Sequence, residues 1–532
     1  MSFLHLPNLI AVLLGLPAAV VIVHTAIYLV DPYGIRKYPG PFLAKFSDVW
    51  LGWVSQQGHR SEVIHEMHKE YGPFMRISPS EVSISDPDAL GIVYAHGNGT
   101  LKSSFYDAFV SIERGLMNTR DRKQRTRKRK IVAYVFSQKS IVEFEPHVAM
   151  HVRLLLEQWD RLYDYAVKGL SGDEANGWVG RGGRLWLDCL PWTNFLALDI
   201  IGDLAFGASF GMITAAKDVA PVPVPDALSD VNFSKPDVVH IPAVAVLNGR
   251  GEYSMSTGVL PGWWRPLVSR LPWYRAGFQN VRELAGIAIV AVEKRLATPT
   301  DRVDLLSKLQ AGTDDNGDPM GRSELMRRRS RCSSPGRTRP QSGSACAIIY
   351  HLAANPEVQA RLQKELDAQL GTEDEMVAMS EQVKHLPYLE ACINEALRIH
   401  STSALGLPRV VPEGGLIICD HLFPAGSVVS VPSYTIHRDP GVWGHDVDVY
   451  RPERWFEADK AAGMQKTFNP FSVGPRACVG RNLASLELQI IVASILRRFH
   501  FVLEQPEEPL ETREGFLRKP LRCDVGIKRR DV

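Results

Sequence analysis

"FNPFSVGPRACVGRNLASLELQIIVASIL", Phe468 to Leu496, decides how the rest of the chain is read. Cys478 sits in a glycine-bounded loop just before a strongly apolar helical pattern. Gly474 permits a tight turn, and Gly480 permits close backbone approach. A thiolate at a helix N-terminus is stabilised by the dipole and by free backbone N–H groups. Phe471 is spaced to cover one side of the sulfur and keep water away. Arg476 offers a cation two residues from it. A lone cysteine is ordinarily a small buried hydrophobe. The joint spacing of Phe471, Gly474, Arg476, Cys478 and Gly480 argues against that plain reading.

Around this loop lies a chain of 532 residues, 45% hydrophobic and 23% charged, with a formal net charge of +2. That composition suits a folded protein with a large core, and nothing in it favours nucleic acid. The seven cysteines are scattered and include no C-x-x-C pair, so neither a disulfide framework nor a structural zinc site is expected. Met1 to Val30 contains no Asp, Glu, Lys or Arg. Its apolar run is long enough to cross a bilayer core, which takes about 20 residues. The alternative is a cleaved signal peptide, against which stand the missing basic n-region and the length of the apolar run. Arg36 and Lys37 follow at once, placing the remainder in the cytosol by the positive-inside rule. Residues 1–30 are therefore expected to be a single-pass anchor, 31–41 a Pro/Gly hinge, and 42–532 one domain.

Long helical patterns dominate after residue 140. "SIVEFEPHVAMHVRLLLEQWDRLYDYAV", "PWTNFLALDIIGDLAFG" closed by Gly207, "NPEVQARLQKELDAQL" and "YLEACINEALRIHS" all carry apolar residues at helical spacing. Strand signals are short: "FMRISPSEVSIS", then hairpin-like alternation from Gly414 to His437. The segment 213–260, rich in Pro and Val, reads as a long surface excursion. The fold class is mainly α with a small β region.

The Cys478 loop resembles that of the cytochromes P450, the haem-thiolate monooxygenases, and the resemblance runs the whole length of the chain. Two further motifs match in order and spacing. Glu395 and Arg398 in "NEALR" match the family's E-x-x-R helix, and Arg454 in "YRPERWF" matches the meander motif. By spacing alone Glu395 and Arg398 are a surface pair of small worth. The resemblance implies instead that Glu395, Arg398 and Arg454 form a structural triad supporting the cysteine loop. It implies haem b as cofactor, with Cys478 as axial iron ligand. It also implies cations on the propionates: Arg129 and Arg125 from "DRKQRTRKRK", Arg409 from "GLPR", and His437 from "SYTIHRDP". A solvated basic face is the alternative for the first two. For His437 it is a satisfied hydrogen-bonding histidine. Lys128 and Lys130 are candidates for docking an electron donor. No G-x-G-x-x-G fingerprint is present, so electrons are expected from a separate NADPH-cytochrome P450 reductase. Localisation at the endoplasmic reticulum membrane, with the catalytic domain cytosolic, follows from the same resemblance.

A narrower similarity joins "HGNGTLKSSFYDAFVSIERGLMNTRDR", "LDIIGDLAFGASFGM", "HSTSALGLPR" and "ETREGFLRKPL" to the fungal benzoate 4-monooxygenases. It implies O2 and a small aromatic acid as substrates. The expected pocket contains Phe105, Phe109, Leu405 and Phe516, with Ser401, Thr402 and Ser403 as candidate carboxylate donors. The serines could equally be turn residues after a helix end. A larger aromatic or phenolic acid suits the same segments.

One stretch departs from the family. Its central helix should carry A-G-x-D-T, yet this chain reads "MRRRSRCSSPGRTRPQ" from Met326 to Gln341. Pro335, Gly336 and Pro340 would break a helix. With suitable codons, dropping two bases turns the segment into "AEALTLLIAGSDTTS", which contains the missing motif. Residues 326–343 are therefore expected to reflect a frame error, in the gene or in its reading, and no catalytic acid or threonine can be assigned there. A genuine basic surface loop is the alternative. An inactive haem-binding relic is then a further functional reading.

Overall fold

The apolar-periodic stretches become helices where their spacing predicts them. The computed structural model describes residues 19, 21–111, 114–172, 177–223, 238–297, 304–311, 339–371 and 375–531. Cys189–Phe206 starts at Asp188, whose carboxylate accepts the Leu190 N–H, and ends at Gly207 with φ 71°. A left-handed terminus of this kind favours glycine. This helix is apolar and long enough to cross a membrane, yet it is mostly buried, as a core helix is. Arg339–Ala354 packs against it and against Pro387–Ile399 and Arg481–Arg498. Together with Glu145–Ala166 these helices enclose the main apolar core.

The β structure is minor. A five-stranded sheet runs in the order Phe74–Arg76, Glu81–Ile84, Val428–Ser430, Arg409–Val410, Leu101–Lys102. Val428 pairs in parallel with Glu81, and Leu101 pairs antiparallel with Val410. This register brings Lys102 opposite Arg409. Among the described residues, a four-stranded sheet and three two-stranded ladders complete it.

Three expectations meet the structure here. The segment 213–260 is no surface excursion in its second half: Ala243–Gly258 is a helix with Val246, Leu247, Arg250 and Ser254 to Gly258 buried. Three glycines hide it from propensity rules. Gly249 and Gly258 allow close approach, since a Cβ would lie 1.9 Å from Asn280 and 2.9 Å from Phe105. The 31–41 stretch is packed against the β region, where the Tyr38 ring stacks on Phe423 at 5.3 Å. Of the expected anchor, Val21–Val30 is described as a helix, and its Val21, Ile22, Leu29 and Val30 are exposed. The run at 326–338 lies outside the described residues.

Candidate active site

Glu395, Arg398 and Arg454 meet as the motifs require. Arg398 donates Nε and NH2 to the Glu395 carboxylate at 3.0 and 2.8 Å, and Arg454 Nε donates to it at 2.8 Å. Trp455 Nε1 adds a fourth donor at 3.1 Å. Burial alone would raise the Glu395 carboxyl. Hydrogen bonds and charge from Arg398, then Arg454, hold it below the usual carboxylate range. Arg398 also binds the carbonyls of His437 and Val447, so the triad ties the helix Pro387–Ile399 to the loops that follow it. Breaking such a buried pair costs about 3–5 kcal/mol, because a charge is left unpaired.

The cysteine loop lies beside these elements. Gly474 has φ 71°, and a Cβ there would lie 1.8 Å from the Tyr94 carbonyl. No other residue fits. The Cys478 N–H donates to the Phe471 carbonyl at 2.9 Å, folding the loop back on itself before Arg481–Arg498 begins. Gly480 is different: a Cβ would only touch Phe136 at 3.7 Å.

A cavity of about 240 Å³ is lined by Cys478, Phe471, Gly480, Leu483 and Ala484 on one side. Lys102, Arg125, Arg129, Arg409 and Arg476 line it as well, with Glu487 the carboxylate among the lining residues. Burial, and then the fields of neighbouring arginines, lowers Arg125 and Arg476 to about 10. Lys102 is pushed down by burial, then by Arg409, Arg476 and Arg125. Arg129 NH1 donates to the Ala477 carbonyl at 3.0 Å, and Arg476 NH1 to the Thr119 carbonyl at 3.1 Å. Arg409 NH1 donates to Tyr106 Oη at 2.9 Å. These cations sit mainly on neutral oxygens and on one another's fields, which is how a protein prepares a place for anions.

The expected pocket residues divide. Thr402, Ser403 and Phe516 line the cavity. Phe105, Phe109 and Leu405 form an adjoining apolar cluster, with Phe109 and Phe516 rings 4.9 Å apart. Ser401 and His437 do not line it. Their side chains bond each other at 2.7 Å, and the Ser401 hydroxyl also donates to the Arg398 carbonyl. His437 Nε2 accepts the Asn469 N–H at 3.1 Å, which leaves the proton on Nδ1. Burial, then Arg398 and Arg438, lowers His437 to about 3, so the ring is neutral. It is a satisfied buried histidine that links two core segments. Lys128 Nζ binds the Arg114 carbonyl at 2.9 Å, whereas Lys130 is exposed.

A second sulfur group lies elsewhere. Cys189, Cys346 and Cys523 place their Sγ atoms within 4.8 Å of one another, fully buried, and none lines the cavity.

The family profile for cytochrome P450 matches residues 40–249 and 270–527. The chain belongs to the cytochrome P450 family. It is 46% identical over 505 residues to benzoate 4-monooxygenase bphA of Aspergillus niger, covering 93% of each chain. It is 29% identical over 528 residues to the P450 monooxygenase cicH of Emericella nidulans, covering 95% of this chain and 97% of that one. Pisatin demethylase of Fusarium vanettenii is 27% identical over 484 residues, covering 87% and 85%.

The P450 cofactor is haem with a cysteine thiolate on the iron. The cavity fits it: apolar walls suit a porphyrin, and a five-cation edge suits two propionates. Sequence reading missed Lys102 and Tyr106. A single lysine in "TLKSS" carries no pattern, and only its pairing opposite Arg409 reveals it. The P450 acid and threonine would belong to the segment outside the described residues. The helix Arg339–Ala354 adjoins the site, because Ser344 Oγ bonds Oγ1 of the cavity residue Thr402 at 2.9 Å.

Proposed function

We propose that this P450 inserts one oxygen atom at the para position of benzoate. The observation that carries the reading is the 46% identity, over nearly the whole of both chains, to a benzoate 4-monooxygenase. The phenylalanine cluster beside the cavity supports it. Cys478 would hold the iron, and Arg125, Arg129, Arg409 and Arg476 the propionates. The group supplies an iron at which dioxygen is split, a reaction favoured by thiolate donation. One oxygen atom would enter the C4–H bond and the other would leave as water, with two electrons from NADPH through a reductase and two protons, one each from NADPH and H+ in the overall balance NADPH + H+ + O2. The protein's own task is orientation and dryness. Phe471 and Phe516 line the cavity with Cys478, where the first would cover the sulfur and the second the substrate side.

Benzoate added to the haem-loaded protein is expected to displace iron-bound water. With NADPH and a P450 reductase it should yield 4-hydroxybenzoate. A product dominated by the 2- or 3-isomer refutes the orientation, and turnover confined to larger phenolic acids favours the alternative substrate class.

We also place the chain on the endoplasmic reticulum membrane. The exposed apolar helix Val21–Val30 supports this, and so do exposed Phe42, Leu43 and Trp53 just beyond it. Deleting residues 1–30 should shift the protein from the microsomal pellet toward the soluble fraction. Full retention in both low and high salt contradicts the anchor.

A further inference from the structure

The helix Ala243–Gly258 carries a cation that the rest of the structure leaves underused. Arg250 is 7% exposed. Its NH2 donates to the Phe109 carbonyl at 2.8 Å, an oxygen that also accepts from Asn118 Nδ2 at 2.8 Å. Its Nε is buried and has no hydrogen-bond partner among the described residues. Burial lowers the group to about 10, with no carboxylate opposing the shift. The buried arginines of the triad behave differently, since Arg398 and Arg454 both bond Glu395. Four residues on, Ser254 is 0% exposed, and its Oγ is likewise unpartnered among the described residues. Residues four apart share one face of a helix. Two orphan donors on a buried face are costly, and they call for an acceptor.

The surroundings say which acceptor. The Arg250 guanidinium carbon lies 5.7 Å from the Phe109 ring centroid. The Phe109 ring is 4.9 Å from that of Phe516, which also lines the Cys478 cavity. Two glycine contacts hold this arrangement. A Cβ on Gly258 would come within 2.9 Å of Phe105, and one on Gly515 within 2.9 Å of the Gly251–Glu252 backbone. The helix is thus locked to both segments that supply the aromatic wall.

We propose that Arg250 and Ser254 form the site that takes the carboxylate of an aromatic acid. The carboxylate accepts from Arg250 Nε and Ser254 Oγ. Its ring lies along Phe105, Phe109 and Phe516, with the far end turned toward the Cys478 cavity. This rests on the benzoate reading and deepens it, because the ring position farthest from the carboxylate is the one presented. A neutral aromatic amide of the same shape gains the wall and can accept from the donors, but without the charge that strengthens those bonds.

The test is titration of the haem-loaded, full-length protein with benzoate and with benzamide, followed by the haem spin state and independently by calorimetry. Arg250→Met should weaken benzoate roughly 10–150-fold, the range of one charge-assisted hydrogen bond, while benzamide, whose amide oxygen accepts without a charge, loses clearly less. Arg250→Lys should recover only part of the loss, since the Nε donor is gone. Ser254→Ala should cost roughly 2–10-fold. Undiminished benzoate affinity in Arg250→Met overturns the anchor. Equal loss of benzamide also overturns it, because that is what a purely structural arginine would give. A parent protein that takes benzamide but ignores benzoate removes the substrate reading itself, an outcome distinct from either.

Discussion

Cys478→Ala is expected to abolish the red-shifted Soret band that reduced, CO-bound haem shows only with thiolate ligation. The expectation follows from where the sulfurs are. Among the described residues, Cys478 is the cysteine that lines the cation-edged cavity. Cys189, Cys346, Cys392 and Cys523 are buried in the core, and Cys419 lies in the β region. None can replace the loop sulfur without rebuilding the fold. The loop itself should survive the change, since it is held by the Cys478 N–H to Phe471 bond and by Arg129 on the Ala477 carbonyl. Haem content should therefore fall less than the thiolate signature, which should vanish. Cys189→Ala serves as the control and should leave the spectrum unchanged. A thiolate-type spectrum persisting in Cys478→Ala contradicts the assignment.

What could be read in the sequence and what could not divide by range. The Phe471–Gly480 loop is local, so residue type and spacing exposed it, whereas Glu395 and Arg398 read by spacing as a surface pair and gained their role only through the family resemblance. Arg454 became legible only because its motif stands in order with the other two. Ser401 and His437 show the limit. Each looked available for a ligand, yet the fold spends them on each other across 36 residues. Nothing local signals that pairing. The helix bearing Arg250 was hidden for another reason. Its glycines depress helix propensity, and they are tolerated because Asn280, Phe105 and Gly515 crowd against it. Tertiary contact overrides propensity there, and with the helix went the view of two orphan donors on one face.

Replacing Met326 to Gln341 with "AEALTLLIAGSDTTS" is expected to raise product formed per NADPH consumed by on the order of 10²-fold, the lower end of what positioned proton delivery contributes. The physical case begins at the junction. From Ser342 onward the helix is buried, and Ser344 bonds the cavity residue Thr402. A chain entering that wall must be apolar and helical. The sequence as written brings six arginines between Arg327 and Arg339, with Pro335 and Gly336 among them. Unpaired guanidinium groups pay heavily for entering such an interior, and a proline inside a helix removes a hydrogen bond. Pro340, expected to break the helix, instead sits in the first turn of Arg339–Ala354, where none is lost. The written segment also lacks the acid and threonine that the family places over the haem. Haem can still bind, because Cys478, Arg125, Arg129, Arg409 and Arg476 all come from other segments. Electrons should then drain to hydrogen peroxide, not product. The replacement supplies the Asp and Thr and a continuous apolar helix into Ser344. The comparison needs both proteins, haem-loaded, with the same reductase, and measures 4-hydroxybenzoate, peroxide and NADPH together. If the chain as written hydroxylates benzoate as efficiently as the repaired one, the frame-error reading is wrong and the basic run belongs to a working enzyme. If both consume NADPH without product while the repaired chain still binds benzoate, then the missing acid and threonine are not what limits turnover.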